Sequence, residues 1–291
     1  MRGFQTLSIV VPVYRGASYL GQLVAEIARL RETLQQEGSP ILFDRAIFVD
    51  DGAVDDSPVV LDRLAATHSW IEVLHLARNS GQHVATATGL AHSQADWIAT
   101  LDEDLQHRPE HLLDLLTAAS SASADLAYAA PRGSVHRTFY RDLSSRTAKR
   151  WISLLSGNPN VRHINSFRLV RGPVARAAAG LFESGTYLDI ALFWFTSRVV
   201  AVPVALVDRR DLAGEPSGYG FLALTRHALR MIASSWSGPP PAGESPPGRG
   251  RGGDARSLKK EIAIDRSRDA QLRDFLTSLP RSAGETAGDA C

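Results

Sequence analysis

The sequence has one cysteine in 291 residues, Cys291. A single thiol cannot form an internal disulfide framework or a cysteine-ligated metal centre, and its scarcity fits a reducing compartment. Charge of either sign is not in excess. Lys plus Arg number 32, Asp plus Glu number 31, and the net charge is +1. That balance argues against bulk electrostatic binding to nucleic acid, so no nucleic-acid partner is expected. No signal peptide is expected either, because Met1–Ser8 is short and polar and Leu7–Val13 reads as a strand. Long apolar runs are also missing. The longest stretch, Tyr187–Val207, is interrupted by Asp189, Arg198 and Pro203, and it reads as a buried helix followed by a strand. Leu7–Gly16 has no Gly-rich phosphate loop leading into a basic run, which speaks against a nucleotidyltransferase. No internal repeat is present.

What remains is an ordinary apolar fraction of 44%, enough for a sizeable core. Apolar runs alternate with helical patterns over the first 130 residues. Leu7–Val13 is a β-branched run of the kind buried in parallel sheets. Leu20, Leu23, Val24, Ile27, Leu30 and Leu34 recur at helical spacing, and Gly38-Ser39-Pro40 breaks the pattern. Further strands are expected at Ala46–Val49, Ile71–Leu76, Trp97–Leu101 and Leu126–Ala130, with helices from Ser57, Gly81 and Pro109. Strands alternating with helices indicate βαβ units and a mixed, mostly parallel sheet flanked by helices. Such a sheet gathers its functional loops at the carboxyl ends of its strands. Here those loops are Tyr14–Gly16, Asp50–Asp56, Ala77–Gln82 and Asp102–His107, each polar directly after an apolar strand.

The loop after Trp97–Leu101 carries Asp102-Glu103-Asp104. Side chains two apart on a strand share a face, so if strand geometry persists past Leu101, Asp102 and Asp104 point the same way. Two hard oxygen ligands there suit a divalent metal that also holds phosphates. The second half is more basic. Residues 143–155 and 221–236 each read as a Trp-containing amphipathic helix with arginines beside its apolar stripe. Such helices pack on a core or lie in a membrane interface. Residues 237–291 open with a Pro/Gly/Ser/Arg-rich stretch and read as a flexible tail, with a polar helix within Leu258–Leu279.

The strings VVPVY (Val10–Tyr14), VDDG (Val49–Gly52), RNSGQH (Arg78–His83) and LDEDLQHRPE (Leu101–Glu110) together resemble family 2 glycosyltransferases of the GT-A fold. Within that family they look most like the polyprenyl-phosphate glycosyltransferases of the dolichol-phosphate mannosyltransferase, GtrB and undecaprenyl-phosphate aminoarabinose types. The resemblance runs over roughly residues 7–236, through Ser166–Val170 and Asp208–Phe221. It implies one GT-A domain over residues 5–236, with a nucleotide-sugar part (7–130) and an acceptor part (131–236).

It also implies an inverting, metal-dependent transfer from a UDP- or GDP-type sugar to a polyprenyl phosphate, at the cytoplasmic face of a membrane with peripheral contact. Asp102 and Asp104 would hold Mg²⁺ or Mn²⁺, with Gln106 beside them. Pro12, Tyr14, Asp50, Asp51, Arg78, Gly81, Gln82, Asp102 and Glu103 would surround the nucleotide sugar, Asp51 accepting from the base. Arg132, Arg141, Ser145 and Arg168 would face the acceptor phosphate, and Arg209 would act near the reacting groups.

The chain departs from the family's pattern at four places. Arg15-Gly16 stands where the family usually reads Asn-Glu, Ala53 where Ser is usual, Glu103 where Ala is common, and Gly218 where Lys is usual. Two alternatives therefore stand beside this reading. One is a family 2 transferase acting on a hydroxyl, which needs a general base, for which Asp189 and Glu183 are the candidates. The other is a binding module that keeps the fold without turnover.

Overall fold

The computed structural model describes residues 4–131, 158–181, 187–205 and 269–279. Its strands are β1 (Gln5–Val13), β2 (Ile41–Asp50), β3 (Ile71–His75), β4 (Trp97–Thr100), β5 (Leu126–Pro131), β6 (Arg168–Arg171) and β7 (Val199–Val204). They form one sheet in the order β3-β2-β1-β4-β6-β5-β7. All pairings are parallel except those of β6, which runs antiparallel to both β4 and β5. The expected mixed, mostly parallel sheet is therefore present.

The helices are α1 (Leu20–Leu34), α2 (Ser57–Thr67), α3 (Gln82–His92), α4 (Leu112–Ser121), α5 (Gly172–Leu181), α6 (Leu188–Phe195) and α7 (Asp269–Ser278). They cover both faces of the sheet. On one face Leu7, Ile9, Val11 and Val13 of β1 join the apolar stripes of α1, α4 and α7. On the other, Val10, Ile47, Val49 and Ile98 meet α3, α5 and α6. This two-sided burial is why β1 is apolar at successive positions rather than alternating. All six stripe residues of α1 are buried. Helix α3 lies close on the sheet because Gly89 has no side chain; a Cβ there would come within 2.4 Å of Val10 Cγ1.

Three expectations change. β2 starts at Ile41, so the edge of the Gly38-Ser39-Pro40 break is already strand. The segment at Pro109 begins as a 3₁₀ turn, Pro109–His111, before α4. Strand geometry does not persist past Leu101: β4 ends at Thr100, and the acidic triplet lies in a turn whose Leu105 has φ 60°. The shared-face premise for Asp102 and Asp104 therefore falls away, and the turn itself arranges them.

β6 was not expected as a strand, because arginines bracket its two apolar residues. Both arginines are buried and paired. Arg168 reaches Asp189 of α6 and donates through Nε to Thr100 Oγ1 at 3.0 Å. Arg171 reaches Asp269, lies 3.3 Å through Nε from Asp125 Oδ1, and stacks over the Trp97 ring at 4.2 Å. Trp97 Nε1 in turn donates to Gln5 Oε1 at 2.6 Å. α7 lies within the polar helix expected over Leu258–Leu279, and it is docked on the core, with Leu272 and Leu276 buried in the cluster that includes α4.

Candidate active site

Register brings four strand ends to one edge: Val13 pairs with Asp50, Asp50 with His75, and Val10 with Thr100. Thr100 also pairs with Arg168 at the start of β6. Because β6 runs the other way, its leading residues Asn165 and Ser166 reach this same edge. The site is therefore built from the loops after β1, β2, β3 and β4 and the loop before β6.

The loops after β2 and β3 are joined by buried carboxylates. Asp51 accepts the backbone N–H groups of Ser80 at 2.6 Å and Gly81 at 2.8 Å. Asp50 accepts Ala53 N–H at 2.7 Å and contacts His75 Nδ1 at 2.8 Å. That contact raises the His75 pKa above its usual value, with burial opposing and Asp62 assisting. Both oxygens of Asp51 thus hold the Arg78–Gly81 loop. Gly52 completes the junction. Its φ is +63°, and a Cβ would lie 2.6 Å from Asn79 N and 2.8 Å from the Arg78 carbonyl carbon. Gly52→Ala is expected to push these loops apart, raise the KM for the donor about tenfold or more, and leave the core intact. Donor-saturation kinetics beside a near-UV CD spectrum would check this; an unchanged KM would refute it.

Gly81, at φ +93°, leads into α3, and Gln82 opens that helix. Gln82 Nε2 donates to Asp102 Oδ1 at 2.5 Å, and Ser166 Oγ donates to Asp102 Oδ2 at 2.6 Å. Asp102 is held from both sides before any ligand arrives. Asp104 Oδ1 accepts the N–H of Gln106 at 3.1 Å, a local turn that fixes its direction. Gln106 contributes to the site through its backbone here. Glu103 does something different. Oε2 accepts Tyr14 N–H at 3.0 Å and Oε1 accepts Arg15 N–H at 3.1 Å. Burial pushes its pKa up to about 7, against those two hydrogen bonds. Beneath the turn, His107 packs 4.9 Å from the Phe167 ring, and burial pulls its pKa down to about 4, so the ring is neutral near neutral pH.

The other expected site residues divide clearly. Tyr14 is half-buried and Arg15 stacks on its ring at 5.6 Å, at the mouth of the site. Pro12 lies inside β1, in register with Val49, below the expected pocket wall. Arg78 is exposed. Arg168 is corrected: its guanidinium is buried beneath the edge with Asp189, because a strand flanked by carboxylates from distant helices draws it into the core. Asp189 is engaged on the same side, accepting Tyr128 Oη at 2.7 Å. Arg132, Arg141, Ser145, Glu183 and Arg209 lie outside the described residues, as do the amphipathic segments 143–155 and 221–236. Ser166 is the contact that sequence reasoning did not single out as a site residue. Its only signal was its place in the Ser166–Val170 string, and its reach to Asp102 depends on the reversed direction of β6.

The same architecture occurs in solved structures. Glucosyl-3-phosphoglycerate synthase from Mycobacterium tuberculosis, in complex with Mn²⁺, UDP and phosphoglyceric acid, superposes with TM-score 0.55 at 16% identity, covering 80% of this chain and 78% of that one. S. aureus TarS 1–349 in complex with UDP-GlcNAc gives TM-score 0.51 at 15% identity, over 90% of this chain and 72% of that one. At these identities the likeness is one of fold, the GT-A fold. Residues 8–175, more than half of the chain, match the glycosyl transferase family 2 domain, and the chain belongs to that family.

Proposed function

We propose that this glycosyltransferase transfers a sugar, with inversion, from a UDP- or GDP-type nucleotide sugar to a polyprenyl phosphate, using Mg²⁺ or Mn²⁺. The observation that carries the donor half is the clamped Asp102. Its two oxygens accept from α3 and from the loop before β6 at 2.5 and 2.6 Å. A preset carboxylate is what a site needs when its ligand arrives as a metal–diphosphate complex.

The residues fit a hard divalent cation. Asp102 and Asp104 supply oxygen, both are part-exposed at the carboxyl ends of the strands, and Glu103 is occupied elsewhere. No cluster of three or more His, Cys, Asp or Glu residues able to hold a metal occurs among the described residues. A cation held by Asp102 and Asp104 would have room for the oxygens of a diphosphate. When bound, it supplies Lewis-acid stabilisation of the departing nucleoside diphosphate. The structures of similar fold were solved with Mn²⁺ and UDP or with UDP-GlcNAc, which supports a uridine donor.

The chain's own residues would do the rest by position. Gln82 and Ser166 orient Asp102, and Asp51 and Gly52 hold the loops against which a nucleotide would lie. The acceptor half draws support from Asp189. A hydroxyl nucleophile must lose its proton to a base; of the two candidates Asp189 is buried, paired with Arg168 and hydrogen-bonded to Tyr128, while Glu183 lies outside the described residues. A lipid phosphate is already anionic and needs positioning rather than deprotonation. Arg132, Arg141, Ser145 and Arg209 are the proposed contacts to it. No helix among the described residues is long and apolar enough to cross a membrane. Segments 143–155 and 221–236 are the proposed peripheral contact with the cytoplasmic face.

The test is nucleoside diphosphate release by the full chain with Mn²⁺ and a panel of nucleotide sugars, with and without polyprenyl phosphate in anionic vesicles. Release that depends on the lipid phosphate is expected, together with co-flotation of the protein. Release with a hydroxyl acceptor alone would overturn the lipid half of the reading. No release from any donor would overturn the whole.

A further inference from the structure

The acidic turn after β4 and the loop after β1 are bridged by one side chain. Glu103 lies between Asp102 and Asp104, yet its carboxylate caps the backbone N–H groups of Tyr14 and Arg15. The carboxylate sits where a side chain on residue 16 would begin, so any residue but glycine there would shift it from this position. A Cβ on Gly16 would lie 2.4 Å from Glu103 Oε2 and 3.2 Å from its carboxyl carbon. The Gly16 backbone is itself pinned. Its N–H donates to Ser57 Oγ at 3.0 Å, and its carbonyl accepts from Tyr19 and Leu20 at 2.8 and 3.0 Å as α1 begins. The glycine therefore cannot swing away from an added methyl without disturbing the entries to α1 and α2. The two positions are also two of those at which the chain departs from the pattern it resembles: glycine at 16 where Glu is usual, and Glu at 103 where Ala is common.

We infer that Glu103 is a positioning residue that locks the Tyr14–Gly16 loop to the metal-holding turn, and that Gly16 is the partner that makes room for it. The inference rests on the donor-binding reading above for its functional consequence. The contact does two things at once. It fixes the backbone of Tyr14, at the mouth of the site, and it fixes the middle of the turn that carries Asp102 and Asp104. Donor loop and metal turn then move as one body, so nucleotide and cation binding are coupled through a side chain that touches neither.

The experiment is a double-mutant cycle on the full chain with Glu103→Ala, Gly16→Ala and the double variant, alongside Glu103→Gln. Two readouts are taken: thermal unfolding without ligand, and calorimetric binding of UDP and of GDP in the presence of Mn²⁺. Each alanine variant is expected to weaken nucleotide–Mn²⁺ binding by about tenfold, as for contacting residues that share one arrangement. The double variant is expected to bind no worse than Glu103→Ala, since the methyl at position 16 no longer meets a carboxylate. Glu103→Gln keeps one acceptor oxygen and is expected to fall between wild type and Glu103→Ala. Additive losses in both readouts would overturn the inference. So would a Glu103→Ala protein that unfolds earlier yet binds nucleotide and Mn²⁺ as wild type does. If the wild type binds neither nucleotide, the donor reading fails by itself. Strict additivity in thermal unfolding would then overturn the Glu103–Gly16 lock, and a non-additive result would uphold it.

Discussion

Asp102→Ala is expected to lower turnover by at least about a hundredfold while the protein stays folded. Removing one preorganised group that meets developing charge costs about 10²–10³ in kcat in well-studied enzymes, and a lost metal ligand acts on the same leaving-group charge. Asp102 is held through both carboxylate oxygens, by Gln82 and by Ser166. It is also part-exposed, so its removal leaves two polar groups that water can reach. Stability should accordingly shift by no more than roughly 1 kcal/mol. Nucleoside diphosphate release and a thermal melt, run on the same preparation, separate the two effects. A variant retaining more than half of the wild-type rate would remove Asp102 from the reaction.

Arg171→Met should do the opposite, acting on the fold and only through it on activity. The guanidinium is fully buried, paired with Asp269, close to Asp125 and stacked on Trp97. Removing one partner of a buried ion pair leaves uncompensated charge and costs about 3–5 kcal/mol. Here two carboxylates are stranded, although Asp125 keeps the Thr196 hydroxyl at 2.7 Å. The pKa of Asp269 is already raised by burial, with Arg171 opposing that rise, so the variant should push it further up. Urea unfolding followed by tryptophan fluorescence measures the loss. Combining Arg171→Met with Asp269→Leu should recover part of it, because an apolar pair no longer asks for solvation. A single-variant loss below about 1 kcal/mol would mean the pair contributes little.

These two residues also mark where the sequence was readable. The β1–α1 unit could be read locally: a β-branched run, then six apolar residues at helical spacing, all buried as expected. The strand-end loops could be read for the same reason, since each polar string follows its own strand. β6 could not. Its sequence, RLVR, looks like surface until Asp189, Asp125 and Asp269 arrive from 21, 46 and 98 residues away, and only tertiary contact makes its arginines core. Helix α7 was legible as a polar helix but its docking was not, for a related reason: two buried leucines, Leu272 and Leu276, are a thin stripe in a polar segment. In the site, the residue types were legible but their partners were not. Asp51 was read as a nucleotide contact, and the fold adds that it ties the Arg78–Gly81 loop; Glu103 was read as part of the donor pocket, and the fold adds its two backbone partners, Tyr14 and Arg15. A carboxylate's identity is written in the sequence, but its hydrogen-bond donors are backbone groups set by the fold.

The Arg171–Asp269 pair also has a consequence for how the protein is made. Ribosomes deliver the chain from the N-terminal side at about 5–20 residues per second, so the 98 residues between Arg171 and Asp269 take roughly 5–20 s to appear. Throughout that interval β1, β2, β3 and β4 are available to assemble, but any sheet that also admits β6 must hold an arginine whose main counter-charge has not yet been synthesised. The nascent chain is thereby biased to leave β6 undocked, and the edge of β4 open, until residue 269 has cleared the ribosomal tunnel.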